Sequence, residues 1–374
     1  MSNFPFARLA AAALAAALAG CNFAASAGPS AASTQSAPAK GKCGDGRCTG
    51  PENAAVCPAD CAGETPAGPP AGAQPSGAVL YYGIMVHLEG WDDARQEGSF
   101  ERHAAAVRRY ADLFEKYGAR LTLESKEFTD GCVQWGDNVL KEMEDRGHGI
   151  GVHADIGGGK DMNCAEFTPL LRERKETLES LGVRVRHASG IVSACDWVTA
   201  AADAGYQFAT GTVAYALMSL REDLRPEGFA DCAGPGACHQ AYPFDIAGRL
   251  HPWRMRSGED WILNDPDGRL VILPSGGGLT CAAEEAGSDD SYTKCDFTAA
   301  DVDALIAELE KVLALVEQGK INTYYVSWSL GQELDDSILE DYLRRVKPSV
   351  DAGRLQWKTL PEMYDLYVAW EKTQ

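Results

Sequence analysis

Basic side chains are in short supply. The chain carries 34 lysines and arginines against 54 aspartates and glutamates, a formal net charge of -20 at pH 7. An acidic surface of that kind repels phosphodiester backbones and anionic headgroups, so nucleic-acid binding and charge-driven membrane binding are set aside. Beyond the first twenty residues no apolar run approaches the roughly 20 residues of a spanning helix. The glycine clusters Gly157 to Gly159 and Gly276 to Gly278 lack the spacing of phosphate-cradling loops, and read instead as places where backbone approaches a neighbour closely. What is present is 45% hydrophobic residues over 374 positions, enough for one large domain with a substantial core plus appendages. Twelve cysteines are many for a cytosolic enzyme and ordinary for a protein matured in an oxidising compartment.

The amino-terminal part divides by composition. Arg8 precedes an alanine and leucine run, Leu9 to Leu18, of the length of a signal-peptide core. It ends in Leu18-Ala19-Gly20-Cys21, which resembles a bacterial lipobox. The resemblance implies that residues 1–20 are a signal peptide and that the Cys21 sulfur carries lipid, anchoring the protein to a membrane without spanning it. An exported lipoprotein of the outer membrane, periplasm or cell surface is expected, and Asn22 is compatible with the outer membrane. An ordinary secretory signal with an accidental cysteine is the alternative. Residues 21–42 read as a disordered tether. Residues 43–61 hold Cys43, Cys48, Cys57 and Cys61, too close together to surround an apolar core, so two disulfides are expected to hold this mini-module. It resembles Cys-Gly-Asp-Gly-x-Cys repeats of secreted bacterial proteins. Residues 62–78 form a Pro/Gly/Ala linker, and 79–374 the main domain.

From Val79 strand and helix signals alternate, the mark of a parallel α/β architecture. Strands are expected at 81–86, 120–123, 148–153, 183–186, 206–209, 249–251, 270–273 and 323–328. Helical periodicity lies between them, and the longest helix opens on a Thr298-Ala-Ala-Asp301 capping box. Size and rhythm fit a (β/α) barrel. Pairing cysteines across short loops gives Cys232–Cys238, Cys281–Cys295 and Cys132–Cys164, leaving Cys195 as a buried thiol.

Several strands end on groups that carry chemistry: Glu89, His153, His187 and His251, with Glu124 and Asp155 close by. Parallel strands would bring those ends to one rim. Imidazoles with a carboxylate suit a divalent metal such as zinc. A lone strand-end histidine is more often a hydrogen-bonded core residue, and His103 and His148 read that way. Trp91, Trp197, Trp253 and Trp328 could stack on sugar rings or serve as packing.

The stretch Gly147-His-Gly-Ile-Gly-Val-His153 resembles the second signature of the polysaccharide deacetylase family, a NodB-type distorted (β/α) barrel. Gly157 stands where the family has its second histidine. The family's first strand ends in Phe-Asp-Asp-Gly, with a base followed by a metal ligand; against His87-Leu88-Glu89-Gly90, Glu89 falls on the ligand and Leu88 on the base. The third signature, Arg-Pro-Pro-Tyr, corresponds to His187-Ala188-Ser189-Gly190. The closing Thr-Leu-Pro-Glu step into a last helix is also similar. The resemblance implies a metal-dependent hydrolase removing N- or O-acetyl groups from an extracellular or cell-envelope glycan, a polysaccharide or a peptidoglycan-like polymer. Zn2+ or another divalent metal would be held by Glu89, His153 and His187, with His251 as a further candidate. The base would come from His87, Asp92, Asp155 or Glu124. A monomer anchored at Cys21 is expected. The alternatives are a barrel that binds glycan without catalysis, and a metal-independent glycosidase using paired carboxylates such as Glu89 and Glu124.

Overall fold

Along the strands of the computed structural model, apolar residues alternate with glycine, histidine and carboxylate, so one face packs on helices while the other lines an interior. The structure describes residues 77–90, 92–156, 163–191, 194–226, 238–286, 288 and 295–374. The signal, tether and cysteine-rich module, with nearly all of the linker and Gly157, lie outside the described residues. In chain order come β1 (Leu80–Leu88), α1 (Glu97–Lys116), β2 (Leu121–Ser125), α2 (Glu127–Trp135), α3 (Val139–Asp145), β3 (Gly149–His153), α4 (Cys164–Glu179), β4 (His187–Ser189), α5 (Trp197–Asp203) and β5 (Phe208–Ala209). After a stretch of 3-10 turns follow β6 (Trp253–Met255), β7 (Leu270–Ile272), α6 (Ala282–Glu285), α7 (Ala299–Ala314), β8 (Asn322–Ser329), α8 (Asp336–Asp351), β9 (Leu355–Trp357) and α9 (Leu360–Glu371). Among the described residues no helix is long and apolar enough to cross a membrane.

The sheet runs β6-β7-β5-β4-β3-β2-β1-β8, parallel except for β6 against β7, with β9 added to the start of β1. The chain leaving β7 then crosses to the far edge. Gly276 N–H donates to the Tyr325 carbonyl at 2.7 Å, and Leu279 N–H to that of Ser327 at 2.7 Å. A parallel bridge joins Gly278 to Ser327. These bonds close the sheet into a distorted barrel and leave no open edge there. A Cβ on Gly276 would sit 2.6 Å from the Tyr325 carbonyl oxygen, so the seam requires glycine.

Outward-facing Ile84, Val86, Leu88, Ile150 and Val152 join the large core beneath the helices. Inward-facing Met85, Phe208, Val271, Leu273 and Tyr325 form a second cluster with Leu360, Met363 and Tyr367 of α9. Helix α9 therefore plugs one end of the barrel. Its start is fixed by a Thr359–Glu362 capping box and by Leu360 N–H donating to Thr122 Oγ1 at 2.9 Å. Pro361 enters where β3 has Gly149, whose Cβ would lie 2.9 Å from Pro361 Cδ. The Thr298–Asp301 capping box opens α7 as expected.

Two segments differ from the sequence expectation. Residues 249–251 are a 3-10 turn and bend, with the strand displaced to Trp253–Met255. Pro252 has no N–H for a ladder, and the Arg249 guanidinium bonds the carbonyls of Pro243, Phe244 and Gly276. The fourth barrel strand begins only at His187. The cysteines differ too. Cys164 pairs with Cys195 and Cys281 with Cys295, while Cys238 is disulfide-bonded to a partner outside the described residues. Cys132 is a free thiol, against the Cys132–Cys164 expectation, because α2 turns it into the core at 1% exposure. Burial pushes that thiol up to about 12, which makes it inert.

His148, just before β3, is structural. Leu121 N–H donates to its Nδ1 at 2.9 Å and its Nε2 faces Glu115 Oε1 at 3.0 Å, which defines a neutral ring protonated on Nε2. Burial lowers its pKa from 6.5, with Glu115 pulling the other way. A depressed histidine contributes stability that is complete above the unfolded value of about 6.5 and falls as pH drops below it. His148→Ala orphans the Leu121 N–H and is expected to cost about 1–3 kcal/mol. Urea denaturation between pH 7.5 and 5 checks this: the variant is less stable at pH 7.5 and has a shallower loss toward acid.

Candidate active site at the carboxyl ends of the strands

The register builds the site in two rows. Across β8, β1 and β2, Ser329, His87 and Glu124 are paired neighbours, and Glu124 pairs in turn with Gly151 of β3. The β3–β4 register continues this row to His187, which pairs with Phe208 of β5. Two residues further along each strand lies the upper row: Glu89, Lys126, His153, Ser189 and Thr210, with His153 paired to Ser189. Because strand side chains repeat every second residue, both rows face the interior above the apolar layer. Leu88 and Ala188 between them face outward into the core.

In the lower row, His187 and Glu124 are fully buried, and His187 Nε2 lies 3.2 Å from Glu124 Oε1. The His187 ring stacks on Phe208 at 4.5 Å and lies against Gly151, where a Cβ would come within 2.2 Å of Nε2. Glu124 Oε1 accepts a 2.5 Å bond from Thr210, and His87 Nε2 is 3.4 Å from Glu124 Oε2. Neither imidazole contact has hydrogen-bonding alignment, so Glu124 Oε2 and both nitrogens of His187 are buried without a partner. Gly151→Ala is therefore expected to destabilise by about 1–3 kcal/mol through overpacking, and Gly151→Ala/His187→Ala to recover part of it. Urea midpoints of the single and double variants decide.

In the upper row, His153 Nε2 is 3.3 Å from Glu89 Oε1, and Ser329 Oγ donates to Glu89 Oε2 at 2.6 Å. Ser189 Oγ is 2.9 Å from His153 Nδ1. The His87 and His153 rings stack at 4.0 Å. Burial alone would raise the Glu89 carboxyl, but the bonds from His153 and Ser329 and the imidazoles beside it bring it down to about 2. Glu124 is likewise desolvated, yet contact with His187 and His87 holds it well below the carboxylate range. Both acids are thus anions across the working pH range. His153 is lowered by burial and by His87, against the pull of Glu89, and is neutral at pH 7.

The sequence candidates separate accordingly. His87, Glu89, Glu124, His153 and His187 converge. Asp155 lies at the rim, where its Oδ2 is 2.5 Å from Lys126 Nζ. Asp92 is half exposed and paired with Arg95. His251 sits beside the start of β8, bonded to the Ile321 carbonyl and Glu317, apart from the cluster. Trp197, Trp253 and Trp328 are buried packing residues, and Trp91 lies outside the described residues. Sequence reasoning gave no role to Ser189, Thr210 or Ser329; the signal available was period two from the neighbouring titratable residue. It also missed Asp93, fully buried and 2.8 Å from His103 Nδ1, which folds back over Gly90 just beyond Glu89.

His87, Glu124 and His153 offer ligand atoms all within 4.8 Å of one another. Two imidazoles and a carboxylate with an unpartnered buried oxygen fit a divalent cation of the zinc kind. Stacked rings project their in-plane lone pairs side by side, so joint ligation turns one ring out of the stack.

No protein-family model and no curated protein matches the chain. Among solved structures, one from Mycobacterium smegmatis designated a polysaccharide deacetylase superposes with a TM-score of 0.50 at 14% identity, covering 82% of this chain and 96% of that one. A Puue allantoinase superposes with a TM-score of 0.51 at 12% identity, covering 81% and 95%. At these identities the likeness is one of fold: an α/β barrel of parallel strands similar to the deacetylase structure over nearly its whole length.

Proposed function

We propose that this protein is a metal-dependent hydrolase that removes N- or O-acetyl groups from an extracellular or cell-envelope glycan. The observation that carries the reading is the set His87, Glu124 and His153 around the unpartnered Glu124 Oε2, at the carboxyl ends of the strands of a barrel similar to a structure designated a polysaccharide deacetylase. Those three residues would hold the cation. Such an ion supplies Lewis-acid polarisation of the acyl oxygen. The remaining roles belong to the side chains around it. Glu89 stands at the mouth, anionic and aimed by Ser329, where it accepts the proton of an attacking water. His187, beneath, keeps Glu124 anionic. The Lys126–Asp155 pair forms the adjacent rim. This catalytic domain, residues 79–374, is carried by an exported lipoprotein anchored through Cys21, with residues 43–61 as a disulfide module. The Leu18-Ala19-Gly20-Cys21 pattern and the cysteine spacing support that placement.

Acetate release from an acetylated oligosaccharide by the mature chain tests the activity. Dialysis against a chelator is expected to abolish release and zinc to restore it, and Glu89→Gln to lower kcat by about 10²–10⁴-fold. Full activity after chelation removes the metal from the account, and glycan binding without acetate release makes the barrel a binding module.

A further inference from the structure

Ser189 touches both stacked imidazoles. Its Oγ is 2.9 Å from His153 Nδ1 and 3.4 Å from His87 Nε2, and the residue is 0% exposed. A hydroxyl has one proton to give and two lone pairs to offer, so it can partner a ring nitrogen whether or not that nitrogen carries hydrogen. We propose that Ser189 is a positioning residue that partners His153 in both of its tautomers: its hydroxyl donates to Nδ1 when Nε2–H faces Glu89, and accepts from Nδ1–H when a bare Nε2 faces a divalent cation. Only the second state rests on the metal reading given above.

The first state follows from the contacts. A carboxylate such as Glu89 can only accept, so the nitrogen 3.3 Å from it carries the hydrogen and leaves Nδ1 bare on a neutral ring. The hydrogen between Nδ1 and Oγ must then come from the serine. Turning the O–H about Cβ–Oγ reverses the polarity without moving any heavy atom. Of the two contacts, that with His87 is the longer, so His87 is the ring free to leave the stack while His153 stays pinned.

The backbone makes the placement rigid. His153 and Ser189 are register partners, and Ala154 N–H donates to the Ser189 carbonyl at 2.9 Å. The next residue, Gly190, has φ +62°, and a Cβ there would lie 3.0 Å from His153 Cε1 and 2.8 Å from the Asp155 nitrogen. Full burial beneath the imidazoles keeps the hydroxyl from attacking an acyl carbonyl, so Ser189 acts through His153. A ligating histidine typically donates its second nitrogen to such a partner, whose loss costs about 10–100-fold in metal affinity.

The test uses the mature chain labelled with 15N-histidine, with Ser189→Ala and Ser189→Thr variants. Ring-nitrogen NMR reads the His153 tautomer, and competition with a chromophoric chelator reads zinc affinity. The metal-free wild type is expected to show Nε2–H and bare Nδ1, and zinc to invert them. Ser189→Ala is expected to leave Nδ1 without its partner, moving its 15N resonance toward that of an unbonded nitrogen while Nε2–H persists, and to weaken zinc binding about 10–100-fold, while Ser189→Thr, which keeps the hydroxyl, restores both. A wild-type Nδ1 resonance and wild-type zinc affinity in a folded Ser189→Ala protein overturn the proposal, as does a folded Ser189→Thr protein that behaves like alanine. If the wild type binds no zinc, the metal reading fails and the metal-free spectrum alone decides: an unchanged Nδ1 resonance in Ser189→Ala overturns the role of Ser189, and a shifted one sustains it.

Discussion

Glu124→Gln is expected to lower the proposed acetate release by about 10²–10⁴-fold while leaving the barrel folded. Glu124 is fully buried and is the anion against which His187 and His87 are set, with a Thr210 bond on its other oxygen. Glutamine keeps the shape and the Thr210 contact but removes both the charge and a carboxylate oxygen for the cation. Because the Glu124 carboxyl is held well below its ordinary range, the wild type keeps this charge throughout neutral and mildly acidic pH. The loss in the variant is therefore expected to be flat from pH 8 to 5, and not rescued by raising pH. Glu124→Ala adds a second effect. It leaves a cavity beside His187 and takes the acceptor from Thr210 Oγ1, and is expected to destabilise by about 1–3 kcal/mol in urea. A Glu124→Gln protein that retains wild-type kcat would remove Glu124 from the chemistry, whatever its role in folding.

Loss of the Cys164–Cys195 disulfide, by double serine substitution, is expected to cost about 3–4 kcal/mol. The bridge spans 31 residues, and the entropy of leaving that loop open in the unfolded chain sets the magnitude. Its position adds a functional consequence. Cys164 opens α4, which follows the His153 strand, and Cys195 precedes α5, which follows the Ser189 strand. The bridge thus ties together the two segments that lead away from the upper row of the site. Thermal unfolding should show a clear drop in midpoint, and the double serine variant a higher KM, since the rim above His153 and Ser189 is no longer clamped. An unchanged midpoint would mean that the rim is held by other contacts.

Much of the barrel was legible because its strands carry a strict period of two. In Gly149-Ile-Gly-Val-His153 the apolar residues pack outward, and the inward glycines make room for Pro361 and the His187 ring. The capping box at Thr298 and the Thr-Leu-Pro-Glu step into the last helix read correctly because both signals are local. Position along a strand shows which residues share a face, but not which stand side by side. That requires the register, and the register is what sets His87 against Glu124 and His153 against Ser189. His251 misled because Pro252 cannot carry a ladder bond, so the chain turns there and presents the imidazole to Glu317. Cys195 misled because pairing by short loops ignores that α4 and α5 start side by side above neighbouring strands. Ser189 and Thr210 gave little warning, since small hydroxyls are common in strands and gain meaning only from what lies within bonding distance.

The central claim is that His87, Glu124 and His153 hold one divalent cation at the mouth of the barrel. Anomalous diffraction at the zinc edge, from crystals of the protein soaked in zinc, tests it most directly. The account predicts a single dominant peak bonded to those three side chains, with one imidazole turned out of the stack and Glu89 beside it. Well-diffracting crystals with no peak among these residues, or with zinc only on surface carboxylates, would contradict it.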